Sequence, residues 1–408
     1  MTGRLGPAPA EANAAAARAP TVVGALAASG LLEWFGAGAV LPLLPLYLRR
    51  EGSSDALVGA VMAAFFVGSL AVQYGVGSLS DRVGRRPVQL AGLGTFAGAS
   101  FLFPALRSPL GALVLRALQG AGAGTAQVAT AALVGDVVPA SWRGRAYGAL
   151  YGGQATGLAL GPLIGSLLGL RAMALVFDLT GVAGLLAAVP LLALLPPVLP
   201  RRHAFERHHS RAWRSRPVLG TALAMTAGGL LSGVYEVCWS LLLHLRHAAS
   251  WQIGLSWTLF SVPYVAVALP AGWLVDHLDR RVLVVATLLG SAGFASAYPF
   301  LHSVALLIGL GAAESVLVAL GYPAAMAELV ELADPSALGE AQGVVAVAET
   351  GAVALAAAGA GALFGLAPWA PFLASAAAAA VLAALVPLFW HGAADRRTPP
   401  RRGTDAPR

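Results

Sequence analysis

The chain has 408 residues, of which 58% are hydrophobic and only 11% are charged, with a formal net charge of +7. Soluble domains carry about 25% charged residues, so this composition excludes a water-soluble globule and leaves a membrane class. All 26 basic residues are arginine, and without lysine no Gly-x-x-x-x-Gly-Lys nucleotide loop can exist.

Residues 1–20 are rich in alanine and proline and lack an apolar core. They predict a disordered tail rather than a cleaved signal peptide. A membrane span needs about 20 mostly apolar residues. Candidates follow in the order 21–48, 57–79, 88–106, 109–132, 146–170, 173–196, 217–244, 251–274, 282–301, 304–330, 339–364 and 368–391. Lipid accepts only helices or closed barrels, and these runs are too long for barrel strands. The expected fold is therefore an all-α membrane protein of about twelve transmembrane helices. Residues 197–216 form a basic linker between a first six-helix half, 21–196, and a second, 217–391; residues 392–408 read as a second polar tail. The linker holds His203, His208 and His209, which suit a solvated segment on an anionic leaflet better than a metal site.

Arginine sets the expected orientation. Five arginines (Arg49, Arg50, Arg107, Arg171 and Arg246) lie in odd-numbered loops and Arg116 lies within a span, while the other twenty lie in the tails, the linker and the even-numbered loops. The positive-inside rule then places both termini and the linker in the cytoplasm of a multi-pass protein of the cell's inner or plasma membrane. Arginines scattered over short membrane loops argue for contact with the lipid bilayer and against nucleic acid. The single cysteine, Cys238, excludes a disulfide framework, and no cluster suits a metal or cofactor.

After span 2 the sequence reads Gly77-Ser-Leu-Ser-Asp81-Arg82-Val-Gly84-Arg85-Arg86, and after span 8 it reads Gly272-Trp-Leu-Val-Asp276-His277-Leu-Asp279-Arg280-Arg281. The two runs are 195 residues apart, and the same offset carries Asp136 onto Glu331, Gly144 onto Gly339 and Gly148 onto Gly343. A constant offset over so long a stretch marks a duplicated architecture. Membrane proteins built from two such halves hold substrate between them.

The first run resembles the signature loop of the major facilitator superfamily, Gly-x-Leu-x-Asp-Arg-x-Gly-Arg-Arg, at every defining position. The resemblance covers essentially the whole chain and implies the major facilitator fold, with two pseudo-symmetric six-helix halves. It implies a cytoplasmic gate of Asp81, Arg85 and Asp136, repeated as Asp276, Arg280 and Glu331, with Asp81 latching onto the start of span 11 at Asp334-Pro335. The second run departs at His277 and Asp279, which predicts a looser turn there. Arg116-Ala-Leu-Gln119-Gly-Ala-Gly resembles the family's second motif. Glycines at 153, 157, 161, 165 and 169 form a four-residue stripe suited to close helix approach. Within that stripe, Gly157-Leu-Ala-Leu-Gly161-Pro162-Leu-Ile-Gly165 resembles the signature of the drug/proton antiporters of the superfamily.

Four glutamates fall well inside spans: Glu33, Glu236, Glu314 and Glu349. A charged residue there costs about 2.5–3.5 kcal/mol on insertion scales and is expected to face the bundle interior. The resemblance places spans 1, 4, 7 and 10 around a central cavity, so Glu33 with Trp34, Arg116 with Gln119, Glu236 with Tyr235 and Trp239, and Glu314 are expected to converge there, with Glu349 on a supporting span. Removal from water favours the neutral form of a carboxylate, so such a group can exchange a proton for a substrate.

The reading these features favour is a monomeric secondary transporter that exports small amphipathic or cationic compounds against an inward flow of protons, with no cofactor. A proton-linked uptake permease for a sugar or other metabolite is the alternative, and a membrane sensor that binds without translocating is a third. No nucleophile–base pair or cofactor loop supports an enzyme.

Overall fold

The structure, a computed structural model, describes residues 9–106, 108–194, 212–334 and 337–390; the side chains of 9–18, Tyr74, Ala140, Ala212, 268–272 and Asp276 fall outside that description. The linker histidines and the C-terminal tail expected at 392–408 also lie outside the described residues. The helices, in chain order, are α1 (Pro9–Val40), α2 (Leu44–Arg50), α3 (Asp55–Val83), α4 (Arg85–Leu102), α5 (Pro109–Val137), α6 (Arg143–Leu168), α7 (Met173–Leu194), α8 (Arg216–Leu245), α9 (Ser250–His277), α10 (Arg280–Ala297), α11 (Val304–Leu332), α12 (Leu338–Leu366) and α13 (Ala370–Trp390). Among the described residues there is no strand. Proline at 42 and 45 breaks the first span into α1 and the short α2, because proline supplies no amide hydrogen to continue a helix.

Two expectations change. The segment 9–20, placed by composition in a disordered tail, belongs to α1; its alanines are the strongest helix formers and outweigh the general polarity of the segment. The helix expected to start at Asp334-Pro335 starts instead at Leu338, with Ala337 at its N-cap, while Asp334 accepts a turn hydrogen bond from the Ala337 amide. The structure has twelve helices of 18 residues or more, α1 and α3–α13, and among the described residues nine stretches are long and apolar enough to cross a membrane. Outside that set are α5 and α6, diluted by glycine, glutamine and arginine, and α9, which is described only in part.

Helix starts obey ordinary capping chemistry. The hydroxyls of Ser54, Ser108 and Ser303 accept from the amides of Leu57, Gly111 and Leu306 at 3.3, 3.0 and 3.3 Å, satisfying donors that have no partner within the helix.

The duplication is visible in the boundaries. Asp55, Arg85, Pro109 and Arg143 open α3, α4, α5 and α6, and Ser250, Arg280, Val304 and Leu338 open α9, α10, α11 and α12, each 195 residues later. Packing repeats as well: α1 on α6 and α7 is matched by α8 on α12 and α13, and α5 on α3 and α4 by α11 on α9 and α10. The halves meet along α3 with α12 and along α6 with α9, which are themselves equivalent pairs.

The end of the bundle carrying residues 77–86 and 272–281 is here termed the loop end, and the opposite end the far end. One hydrophobic core joins both halves, through Leu43, Leu44, Val58 and Met62 on one side and Val237, Leu241, Ile253 and Phe364 on the other, all toward the far end. Toward the loop end each half has its own core, around Leu26, Leu133 and Leu150 in the first and Met225, Leu329 and Val345 in the second. The halves are thus sealed at the far end, and their loop-end cores are separate. Small residues make the seal: a Cβ on Gly59 would lie 2.6 Å from the Ala357 carbonyl oxygen, and one on Gly361 would meet the Asp55 carbonyl. In lipid, helix association rests on such close packing, since the lipid tails are as apolar as leucine.

Candidate functional site

The glycine stripe of α6 is the bed on which α1 lies. Any Cβ on Gly153, Gly157, Gly161 or Gly165 would meet the α1 backbone at Ala27, Leu31 and Phe35, Phe35 and Ala39, or Ala39 respectively. This contact fixes the stretch of α1 that carries Glu33, which is buried, beside the half-buried Trp34. Pro162 sits where three helices meet: it faces Gly38 of α1, and its carbonyl lies 2.5 Å from where a Cβ on Gly254 of α9 would stand. One turn away the Thr258 hydroxyl of α9 donates to the Ala159 carbonyl at 2.5 Å, so the Gly-Pro element is also a contact between halves.

Arg116 and Gln119 stand on one face of α5, three residues apart, as i,i+3 spacing requires. Arg116 Nη1 donates to Gln119 Oε1 at 3.0 Å, Gln119 Nε2 donates to Ser100 Oγ at 2.9 Å, and the guanidinium lies 4.6 Å above the Phe65 ring. Across the interface, Glu236 of α8 interacts electrostatically with Arg116, although the two form no direct ion pair. Arg116 Nε and Glu236 Oε2 are both buried without a hydrogen-bond partner among the described residues. Each such orphan costs about 1–3 kcal/mol, and more when charged.

Glu314 of α11 has a different setting. It accepts from the Tyr298 hydroxyl at 2.6 Å and from the Tyr235 hydroxyl at 3.0 Å. Trp239 stands edge-on to Tyr298, with centroids 5.0 Å apart, and its indole N–H donates to Ser256 Oγ at 2.9 Å. Glu349 of α12 makes no hydrogen bond or ion pair among the described residues and interacts electrostatically with Tyr264 and Tyr322. The four glutamates therefore occupy separate settings: Glu236 faces Arg116, Glu314 is held within the second half by two tyrosines, and Glu33 and Glu349 stand apart.

At the loop end the first-half cluster is assembled around one guanidinium. Arg85 reaches Asp81 at 2.5 Å, Asp136 at 3.0 Å and Ser80 Oγ at 2.5 Å. Gly84 has φ +106°, a backbone conformation that glycine adopts without strain, and it is the single residue between α3 and α4. Arg82 is exposed, and Arg86 Nη2 donates to the Leu192 carbonyl at 2.6 Å, close to the end of α7. The expected latch of Asp81 on Asp334-Pro335 falls in part outside the described residues; among the described residues, Asp81 pairs with Arg85 of its own turn. Gly77 contributes its carbonyl, 3.5 Å from Arg85 Nη1.

The second-half cluster is built differently. Arg280 pairs with Glu331 at 2.5 Å, and Arg281 pairs with the largely buried Glu328 at 2.7 Å. Gly272 and Asp276 belong to the undescribed side chains. The looser turn expected from Asp279 is corrected. Its carboxylate accepts from the Arg281 and Val282 amides at 2.9 and 3.3 Å, an N-cap that replaces the positive-φ glycine with a firm helix start. Glu328 went unread in the sequence, although its i,i+3 spacing from Glu331 puts both on one face of α11. Thr258, Tyr264, Tyr298 and Tyr322 also escaped; as polar residues on apolar spans they carry no local signal.

A bundle of two duplicated helical units, packed together at one end and built from long apolar helices, defines a multi-pass membrane protein. The chain matches the family model of the Major Facilitator Superfamily over residues 26–245 and 218–408, and it belongs to that superfamily, a family of transporters and not of enzymes. It is 35% identical over 167 residues to the inner membrane transport protein YajR of Escherichia coli (strain K12), covering 39% of this chain and 36% of that one. It is 26% identical over 164 residues to the quinolone resistance protein NorA of Staphylococcus aureus (strain Mu50 / ATCC 700699), covering 40% of this chain and 42% of that one. The chain thus spans about two-fifths of the length of these curated relatives. Among solved structures it resembles the D-xylose–proton symporter, with a TM-score of 0.75 and 16% identity over 91% of this chain and 97% of that one. A mutant of the nucleoside transporter NupG gives a TM-score of 0.75 and 12% identity over 90% and 98%. At such identities the structural likeness concerns the fold alone.

Proposed function

We propose that the chain is a proton-coupled exporter of small amphipathic or cationic compounds, working by alternating access in the cell's inner or plasma membrane with both termini cytoplasmic. The observation that carries this reading is the buried pair of Arg116 and Glu236, set on opposite halves with an orphaned polar atom on each. Such a pair is held by burial alone and changes whenever the halves move. Water, a proton or a cationic ligand entering between them satisfies the carboxylate and releases the arginine, which links occupancy of the site to the arrangement of the halves. The Gly-Pro element of α6 and the likeness to a quinolone resistance protein support export over uptake. The arginine bias of the loop end supports its placement in the cytoplasm, so the present arrangement is closed to the outside.

Efflux of a fluorescent amphipathic cation from energised vesicles tests the reading. Collapse of the proton gradient is expected to stop it; transport that continues undiminished would overturn proton coupling. Asp81→Asn tests the gate. Arg85 keeps Asp136 as a partner in that variant but loses one of its two carboxylates, so turnover is expected to fall several-fold while substrate Kd is unchanged. Lost affinity with normal turnover would contradict a gating role.

A further inference from the structure

We propose that Glu349, Tyr264 and Tyr322 of the second half, with Tyr151 of the first, form a separate outer station for a lipophilic organic cation, on the route from the loop end to the deep Arg116–Glu236 pair. The proposal rests on the export reading above and adds to it a place and a chemistry.

Depth separates the two sites. At about 1.5 Å of rise per residue, Arg116 and Glu236 stand about 30 Å from the loop ends of α5 and α8. On the same scale Tyr151, Tyr322 and Glu349 stand only about 12–17 Å from the loop ends of α6, α11 and α12, and Tyr264 about 20 Å from that of α9. The contact of Thr258 with Ala159 sets the register between the antiparallel α6 and α9, and both Tyr151 and Tyr264 lie loopward of it. Tyr322 is within electrostatic reach of Glu349, Tyr151 and Tyr264, so residues of both halves stand near one another at this level. Tyr151 and Tyr322 are 57% and 43% exposed, and Tyr264 and Glu349 are half-buried. The Tyr151 ring stacks with that of Tyr147, one turn closer to the loop end, with centroids 6.2 Å apart.

Chemistry separates them too. Arg116 opposes Glu236, two tyrosine hydroxyls hold Glu314, and Glu33 is buried. Glu349 combines partial exposure with the absence of any hydrogen bond or ion pair among the described residues. A carboxylate without a basic partner among the described residues, within electrostatic reach of Tyr264 and Tyr322, attracts a cation through its charge and their ring faces. The set offers three ring faces and a carboxylate but no basic side chain, so an anion finds no opposite charge there.

The test is equilibrium binding of tetraphenylphosphonium to the purified full chain in lipid nanodiscs, with triphenylphosphine oxide as the uncharged analogue. Glu349→Gln is expected to weaken tetraphenylphosphonium binding at least about tenfold and to leave the oxide unaffected. Tyr322→Leu is expected to weaken it about fivefold, and Tyr322→Phe, which keeps the ring, to bind like the wild type, separating a lost ring from a lost fold. If Glu349→Gln and Tyr322→Leu bind as the wild type does while Glu236→Gln loses binding, the cation goes straight to the deep pair; this inference then fails and the export reading stands. If the wild type binds no tetraphenylphosphonium, the outer station and the cationic-substrate reading beneath it both fail.

Discussion

Glu33→Gln is expected to abolish gradient-driven efflux, by at least about a hundredfold, while the protein inserts and folds normally. Glutamine keeps the volume and hydrogen-bonding reach of glutamate but cannot take up and release a proton. The site makes this a clean test. Glu33 is buried and makes no ion pair among the described residues, so removing its charge strands no partner. Its stretch of α1 is fixed by backbone-to-backbone contact with the α6 glycines, which the substitution does not touch. Transport assayed in proteoliposomes with an imposed proton gradient decides the matter, with binding and thermal stability measured beside it. Efflux at the wild-type rate would move the exchanged proton to another carboxylate, of which Glu236 is the foremost candidate.

Gly361→Leu is expected to cut transport more than tenfold by a different route. The position lies on the seam where α12 meets α3, and even a methyl group there would run into the Asp55 carbonyl. A leucine forces the far ends of α3 and α12 apart. Overpacking of this kind costs about 1–3 kcal/mol in the sealed state and nothing in a state where the seam is open, so it shifts the population by about 5–150-fold. Hydrogen exchange reads the outcome: faster exchange at 55–62 and 357–366 with slower exchange around the 77–86 turn is the expected pattern. Wild-type exchange and transport would show that the seam does not part during the cycle.

Much of this architecture was legible because duplication writes the same boundaries twice. The 195-residue offset read from the two charged runs converts one set of helix starts into the other. The grouping of Asp81, Arg85 and Asp136 was legible through the family resemblance, and the three side chains do meet, around the Arg85 guanidinium. Pairings made across the interface were not. That Arg116 answers Glu236 rather than Glu314 depends on how α5 faces α8, and nothing local in either helix encodes it. The tyrosines around Glu349 are hidden for the same reason. Asp279 misled because it registered as a missing glycine, when its carboxylate supplies the cap that makes the glycine unnecessary.

The seam that closes the far end also encloses the one sulfur nucleophile of the chain. Cys238 is buried in the core shared by both halves, with its thiol on the Ala360 carbonyl at 3.6 Å and Asp55 of the opposite half within electrostatic reach. A thiol in that place makes the wild-type chain its own reporter: modification by a membrane-impermeant maleimide during transport is the expected sign that the seam parts, and a thiol that stays unreactive would show that it does not.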